Sequence, residues 1–219
     1  MIQTLAIILA HGKVQETVVR HLPVWAKVAE RVIIASPADD PVCLRHEWGF
    51  VTGKSARYAE ETNQRTMECF ELAKELSPRL LIWMEYDALL WEFPPMADMM
   101  SARSVMGTKF TSADRSFKGA FYLHSPIIFG SAAIRETLLA MCDLPPDAER
   151  GFGDRFIGLA VELARLPVID AHAYQLAFSK NHIEKADIPD AVQARRKGAV
   201  FMHGIKEAAV FQAIQAAKP

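Results

Sequence analysis

Leu5-Ala6-Ile7-Ile8-Leu9-Ala10 is an unbroken apolar run closed by His11-Gly12. A strand buried on both faces reads this way, because neither face needs polar residues for solvent. Val14, Val18 and Leu22 then recur at four-residue spacing and predict a helix that Pro23 ends or kinks. Arg31-Val32-Ile33-Ile34-Ala35-Ser36-Pro37 is a second, β-branched strand ending in a turn. Strand, helix and strand in such close succession form a βαβ unit, and such units build parallel sheets.

From Ala38 to Ser55 the chain turns polar and irregular. Thr66, Met67, Phe70 and Ala73 mark one face of a helix over about 59–76, which Ser77-Pro78 stops. An apolar strand, Arg79-Leu80-Leu81-Ile82-Trp83-Met84, runs into Glu85-Tyr86-Asp87. Further on, Phe110 to Gly119 reads as a polar loop and Ala120 to His124 as a strand. Ser131 suits the cap of a helix bearing Ile134, Leu138 and Met141. Another helix starts near Gly153-Asp154. Val168-Ile169-Asp170 and Ala199-Val200-Phe201-Met202-His203 read as short strands, and the Ala-rich tail after Lys206 as a helix. There is no internal repeat and no interdomain linker. The expectation is one α/β domain over 1–219, Rossmann-like, with a mostly parallel central sheet flanked by helices.

Composition narrows the function. Of the residues, 51% are hydrophobic, which supports a sizeable core and excludes a disordered chain. Lys and Arg number 25 against 26 Asp and Glu, so the basic stripe of a non-specific nucleic-acid binder is absent. The cysteines, Cys43, Cys69 and Cys142, are far apart, with no C-x-x-C pair. An odd, sparse count suits a reducing compartment. No apolar run approaches the ~20 residues that span a bilayer, and the first residues lack the basic start of a signal peptide. A cytoplasmic protein is expected.

Glu85-Tyr86-Asp87 is the most informative tripeptide. In a strand, residues two apart share a face, so Glu85 and Asp87 would stand side by side at the carboxyl edge of a parallel sheet. That edge is where open α/β sheets bind ligands. Adjacent carboxylates repel, and a hard divalent ion such as Mg²⁺ or Mn²⁺ relieves the repulsion. The plainer alternative is an Asp that opens a turn beside a solvated Glu.

An apolar strand ending in acidic-x-acidic after a βαβ start resembles the GT-A class of glycosyltransferases, enzymes of the nucleotide-diphospho-sugar transferase fold. Their usual motif is Asp-x-Asp; this chain has Glu-x-Asp. The resemblance implies that Asp87 ligates Mn²⁺ or Mg²⁺, with Glu85 at the ribose or at the metal. It also implies a further ligand from a His near the C-terminus. Here Phe201-Met202-His203-Gly204-Ile205-Lys206 supplies His203, a glycine for close backbone approach, and Lys206 for the diphosphate. Partners would be a nucleotide-diphosphate sugar and an acceptor saccharide or other hydroxyl compound. The N-terminal half would hold the nucleotide and the C-terminal half the acceptor.

The same resemblance points to His11 and to Asp39 or Asp40, at the ends of the first two strands, for the nucleotide. It points to Arg57 or Arg65 for the base or a phosphate, although polar turns and a solvated helix face would also account for these residues. Inverting members use a carboxylate near a helix start as the base. Asp154 is the candidate, and it equally suits an N-cap. Gly49 to Ser55 is one residue short of a P-loop and lacks the preceding strand. The leading expectation is a metal-dependent glycosyltransferase. The alternatives are a non-catalytic nucleotide-sugar-fold binding module, or another α/β enzyme acting on a phosphate ester.

Overall fold

The structure is a computed structural model and describes residues 2–10, 14–37, 49–52, 60–94, 97, 100–111, 121–145, 148 and 153–217. Among the described residues its main sheet has seven strands. They are β1 (Thr4–Leu9), β2 (Arg31–Pro37), β3 (Gly49–Thr52), β4 (Leu80–Glu85), β6 (Val105–Thr111), β7 (Phe121–Gly130) and β8 (Val168–Asp170). They lie in the order β3-β2-β1-β4-β7-β6-β8. β7 is antiparallel to both of its neighbours and every other pairing is parallel, so β7 alone runs against the rest. The expected mostly parallel α/β architecture is therefore the one found.

Period-two geometry explains the unbroken apolar strands. In β1, Ala6 and Ile8 face one core, while Leu5, Ile7 and Leu9 face the other. β4 divides in the same way, with Leu80, Ile82 and Met84 on one side and Leu81 and Trp83 on the other. The second core is covered by α2 (Glu60–Leu76), α3 (Ser131–Cys142) and α4 (Gly153–Leu163). The first is covered by α1 (Gln15–Val28), α5 (Ile188–Arg196) and α6 (Ala208–Ala216). A small sheet completes that side: β5 (Leu89–Leu90), β10 (Phe201–His203) and β9 (Ala177–Ser179), with β10 in the middle.

The structure decides two local readings. α1 runs through Pro23 to Val28, so of the two expected alternatives the helix does not end there. Pro23 sits on the exposed side, while Val24, Trp25 and Val28 beyond it are buried. Their burial outweighs the backbone bond that a proline removes. The segment from Phe110 onward was expected to be a loop, yet Phe110 and Thr111 close β6 and pair with Tyr122 and Phe121. Residues 112–120 lie outside the described residues.

The site is positioned by strand order. From β1 the chain winds outward through β2 and β3, then returns to place β4 on the other side of β1. Crossovers leave in opposite directions at β1 and β4, which opens a crevice at their carboxyl ends. Glu85, the last residue of β4, pairs there with Leu9.

Candidate metal centre at the sheet edge

Strand β4 stops at Glu85, and the chain reverses through a turn closed by the Ala88 amide donating to the Glu85 carbonyl at 3.0 Å. Asp87 is therefore a turn residue, not a strand neighbour of Glu85 on a shared face. What joins them is a third group. Ligand atoms of Glu85, Asp87 and His203 all lie within 4.8 Å of one another. His203 comes from β10, whose register sets it beside Ser179. The Ile205 amide donates to the Asp87 carbonyl at 2.9 Å and ties the two segments together.

Within this group, His203 Nε2 is 3.2 Å from Glu85 Oε2 and 3.5 Å from Asp87 Oδ1. Its other ring nitrogen, Nδ1, donates to the Lys180 carbonyl at 3.0 Å. A carbonyl only accepts, so Nδ1 carries the proton and Nε2 is the atom turned to the carboxylates. Lys206 Nζ lies 3.4 Å from Asp87 Oδ2. Asp87 Oδ1 is buried and has no hydrogen-bond partner among the described residues. An orphaned carboxylate oxygen, a second carboxylate and an imidazole nitrogen turned to one point form a donor set that fits a divalent cation.

Electrostatics agree with that reading. Burial raises the Asp87 carboxyl above its usual range and Glu85 adds to this, while His203 and Lys206 oppose it. Burial disfavours a charged His203. The hydrogen bond to Glu85 and the charges of Asp87, Glu85 and Asp154 outweigh burial, and its pKa rises to about 9. Without a metal, the imidazolium is the cation that balances the carboxylates.

Asp154 opens α4, with its Oδ1 accepting from the Arg155 amide at 2.9 Å. Its Oδ2 lies 3.6 Å from His124 Nε2. The His124 ring is 4.7 Å from that of His203, centre to centre. His124 Nδ1 is 2.6 Å from Ser179 Oγ. Burial, followed by the charge of Glu85, lifts the Asp154 carboxyl to about 7 against the pull of His203 and Arg155. Burial also holds His124 down to about 3, with His203 and Arg155 assisting.

Among the residues singled out from sequence, Glu85, Asp87, His203 and Lys206 come together, and Asp154 adjoins them through His124. Arg65 is half-buried on α2, beside Thr66, where its charge acts on Cys69 of the same helix. His11, Asp39, Asp40 and Arg57 lie outside the described residues. The close approach at Gly204 (φ 91°) is to the Lys180 carbonyl, with which a Cβ would collide. His124 and Ser179 escaped the sequence reading. The one visible sign was a histidine closing the apolar run Phe121-Tyr122-Leu123.

No helix among the described residues is long and apolar enough to cross a membrane. No family model matches the chain, and no curated protein matches it by sequence. Among solved structures, the chain is similar to the apo form of the bifunctional glycosyltransferase WbbM. The TM-score is 0.57 at 11% identity, over 94% of this chain and 46% of that one. This chain thus spans about half the length of WbbM. It is also similar to a glycosyltransferase involved in the glycosylation of the major capsid of PBCV-1. There the TM-score is 0.51 at 11% identity, over 98% of each chain. The fold is one found in glycosyltransferases of known structure, as the Glu-x-Asp resemblance implied.

Proposed function

We propose that the protein is a cytoplasmic, metal-dependent glycosyltransferase that moves a sugar from a nucleotide-diphosphate sugar to an acceptor hydroxyl. The observation that carries this reading is the convergence of Glu85, Asp87 and His203 at the carboxyl edge of a glycosyltransferase-type sheet. Two carboxylates and an imidazole suit Mn²⁺ or Mg²⁺. When bound, the metal supplies positive charge that holds the donor's diphosphate and stabilises it as a leaving group.

The chain's own residues divide the remaining work. Lys206, partly exposed and 3.4 Å from Asp87, sets a second positive charge beside the same oxygens. In an inverting transfer, Asp154 takes the proton of the acceptor hydroxyl. Its raised pKa makes it a stronger base than an ordinary aspartate. His11, Asp39, Arg57 and Arg65 are the proposed nucleotide contacts, in an N-terminal half that binds the donor. The C-terminal half of a single domain over 1–219 receives the acceptor.

A thermal-shift screen of nucleotide diphosphates and nucleotide sugars, with and without Mn²⁺, tests the proposal on wild type and Asp87→Ala. A ligand at a hundred times its Kd adds about 2.7 kcal/mol of apparent stability. For a chain of this size that raises Tm by roughly 5–11 °C. The expected result is a Mn²⁺-dependent shift with one nucleotide that the variant lacks. Equal responses in the two proteins, or none with any nucleotide, would return the Glu-Tyr-Asp segment to being an ordinary turn.

A further inference from the structure

We propose that His21 and Trp25, on the buried stripe of α1, are positioning residues that hold the Asp87 turn in the geometry a metal requires. The inference rests on the metal-site reading above and assigns a role to a helix that contributes no ligand.

The turn that carries Asp87 has three successive carbonyls, and each accepts from a donor outside it. The Tyr86 carbonyl accepts from His21 Nδ1 at 3.0 Å. The Asp87 carbonyl accepts from the Ile205 amide at 2.9 Å. The Ala88 carbonyl accepts from Trp25 Nε1 at 3.0 Å. Residues 21 and 25 are one helical turn apart, so a single helix face reaches two of the three.

The same helix also grips the other half of the site. Arg20, next to His21 on α1, donates to the Lys206 carbonyl at 3.0 Å, and Thr17 Oγ1, one turn before His21, lies 3.4 Å from it. α1 therefore bridges the turn bearing Asp87 and the segment bearing His203 and Lys206, which the Ile205 amide also ties directly. Neither donor side chain has room to wander. His21 and Trp25 are fully buried. The His21 ring stacks on Phe211, with centroids 5.0 Å apart, and meets Trp25 edge-on. Burial holds His21 neutral, with its pKa lowered to about 3, and its carbonyl partner places the one proton on Nδ1. Helix packing thereby becomes a fixed hydrogen bond to the residue beside the ligand. Partners hydrogen-bonded to a ligand itself are worth about 10–100-fold in metal affinity, and these donors act on the two residues flanking Asp87.

His21 can be split into its two functions. His21→Phe keeps a ring on Phe211 and removes the donor. His21→Asn keeps a donor at the Nδ1 position and removes the ring. Trp25→Phe removes the second donor. Mn²⁺ affinity is read from the free-ion electron paramagnetic resonance signal, without nucleotide, for wild type, the three variants and Asp87→Asn. The expected outcome is weakening by about 10–100-fold in His21→Phe and in Trp25→Phe, with His21→Asn within about threefold of wild type. Melting temperatures will fall in all three, so affinity carries the answer.

If wild type and Asp87→Asn bind Mn²⁺ equally, or not at all, the metal reading itself fails. If wild type binds in an Asp87-dependent way and His21→Phe binds as tightly, this inference alone is overturned. The same follows if His21→Asn weakens as much as His21→Phe. Should His21→Phe not fold, an unchanged affinity in Trp25→Phe overturns it.

Discussion

His203 places Nε2 at 3.2 Å from Glu85 Oε2 while Nδ1 donates to the Lys180 carbonyl at 3.0 Å. One nitrogen is committed to the backbone and the other to whichever cation occupies the site. In the metal-free protein that cation is a proton, held with a pKa of about 9. A metal at Nε2 must expel it, so Mn²⁺ affinity should rise by about tenfold per pH unit between about pH 6.5 and 8.5. His203→Asn should flatten this slope. Stability supplies the sign. The folded pKa exceeds the ordinary 6.5, so the imidazolium's contribution is complete below 6.5 and is lost as pH rises through about 9. Melting temperatures across this range should fall without Mn²⁺ and fall less with it. A pH-independent affinity would remove His203 from the ligand set.

Asp154 is expected to separate catalysis from binding. Asp154→Asn should lower turnover by about 10²–10⁴-fold and leave Mn²⁺ affinity near wild type. The variant should also be the more stable protein at pH 8. Burial raises the carboxyl from 3.8 to about 7, so its contribution is complete below 3.8 and is lost as pH rises through 7. Asparagine carries no charge to bury. The stability difference between the two proteins should therefore shrink as pH falls from 8 toward 4. Turnover that survives the substitution would remove Asp154 from the proposed chemistry.

Gly204 joins His203 to Ile205 at a φ of 91°, against the Lys180 carbonyl. Gly204→Ala should cost on the order of 1–3 kcal/mol, from strain at that φ. The corresponding fall in Tm is roughly 2–12 °C. The collision displaces the carbonyl that orients His203, so Mn²⁺ affinity should fall as well. A variant that melts like wild type would mean the crossing relaxes freely.

His21 gives the fold an acid-sensitive point. Its folded pKa of about 3 lies below the ordinary 6.5, so its neutral form contributes fully above 6.5 and the contribution is lost as pH falls toward 3. Relative to His21→Asn, wild type should lose stability steadily as pH falls within that window. Urea titrations at pH 7 and pH 5 measure the difference. Parallel behaviour of the two proteins would show that the ring accepts a proton in place.

The sheet was legible because its strands are buried on both faces. Leu5 to Leu9 and Leu80 to Met84 have no polar side to disguise them, and both appear where their runs fall. The hairpin of β6 and β7 was less legible. Val-Met-Gly-Thr-Lys-Phe-Thr mixes buried Val105 and Met106 with exposed Lys109, and such a stretch resembles a loop until its partner strand is known. Glu85, Asp87 and His203 stand out as residue types, but a shared strand face is not what makes Glu85 and Asp87 neighbours. A turn at Asp87 and a backbone bond to Ile205 bring them together instead. His21 and Trp25 were hidden by their own helix, where both are buried among apolar neighbours. Only their ring nitrogens set them apart, and the partners of those nitrogens lie more than sixty residues away.

His203 meets Glu85 across 118 residues of chain. During synthesis, the ribosome therefore delivers both carboxylates long before their counter-charges. Until Phe201 to Lys206 emerge, Glu85 and Asp87 have neither His203 nor Lys206 beside them, and Leu89-Leu90 lacks the β10 strand that pairs with it. Docking of Phe201 to Lys206 then pairs β10 with Leu89-Leu90 and brings His203 and Lys206 to the acidic pair. A nascent chain stalled before Phe201 should be a stronger chaperone client than the released protein, because late closure leaves apolar surface open for longest.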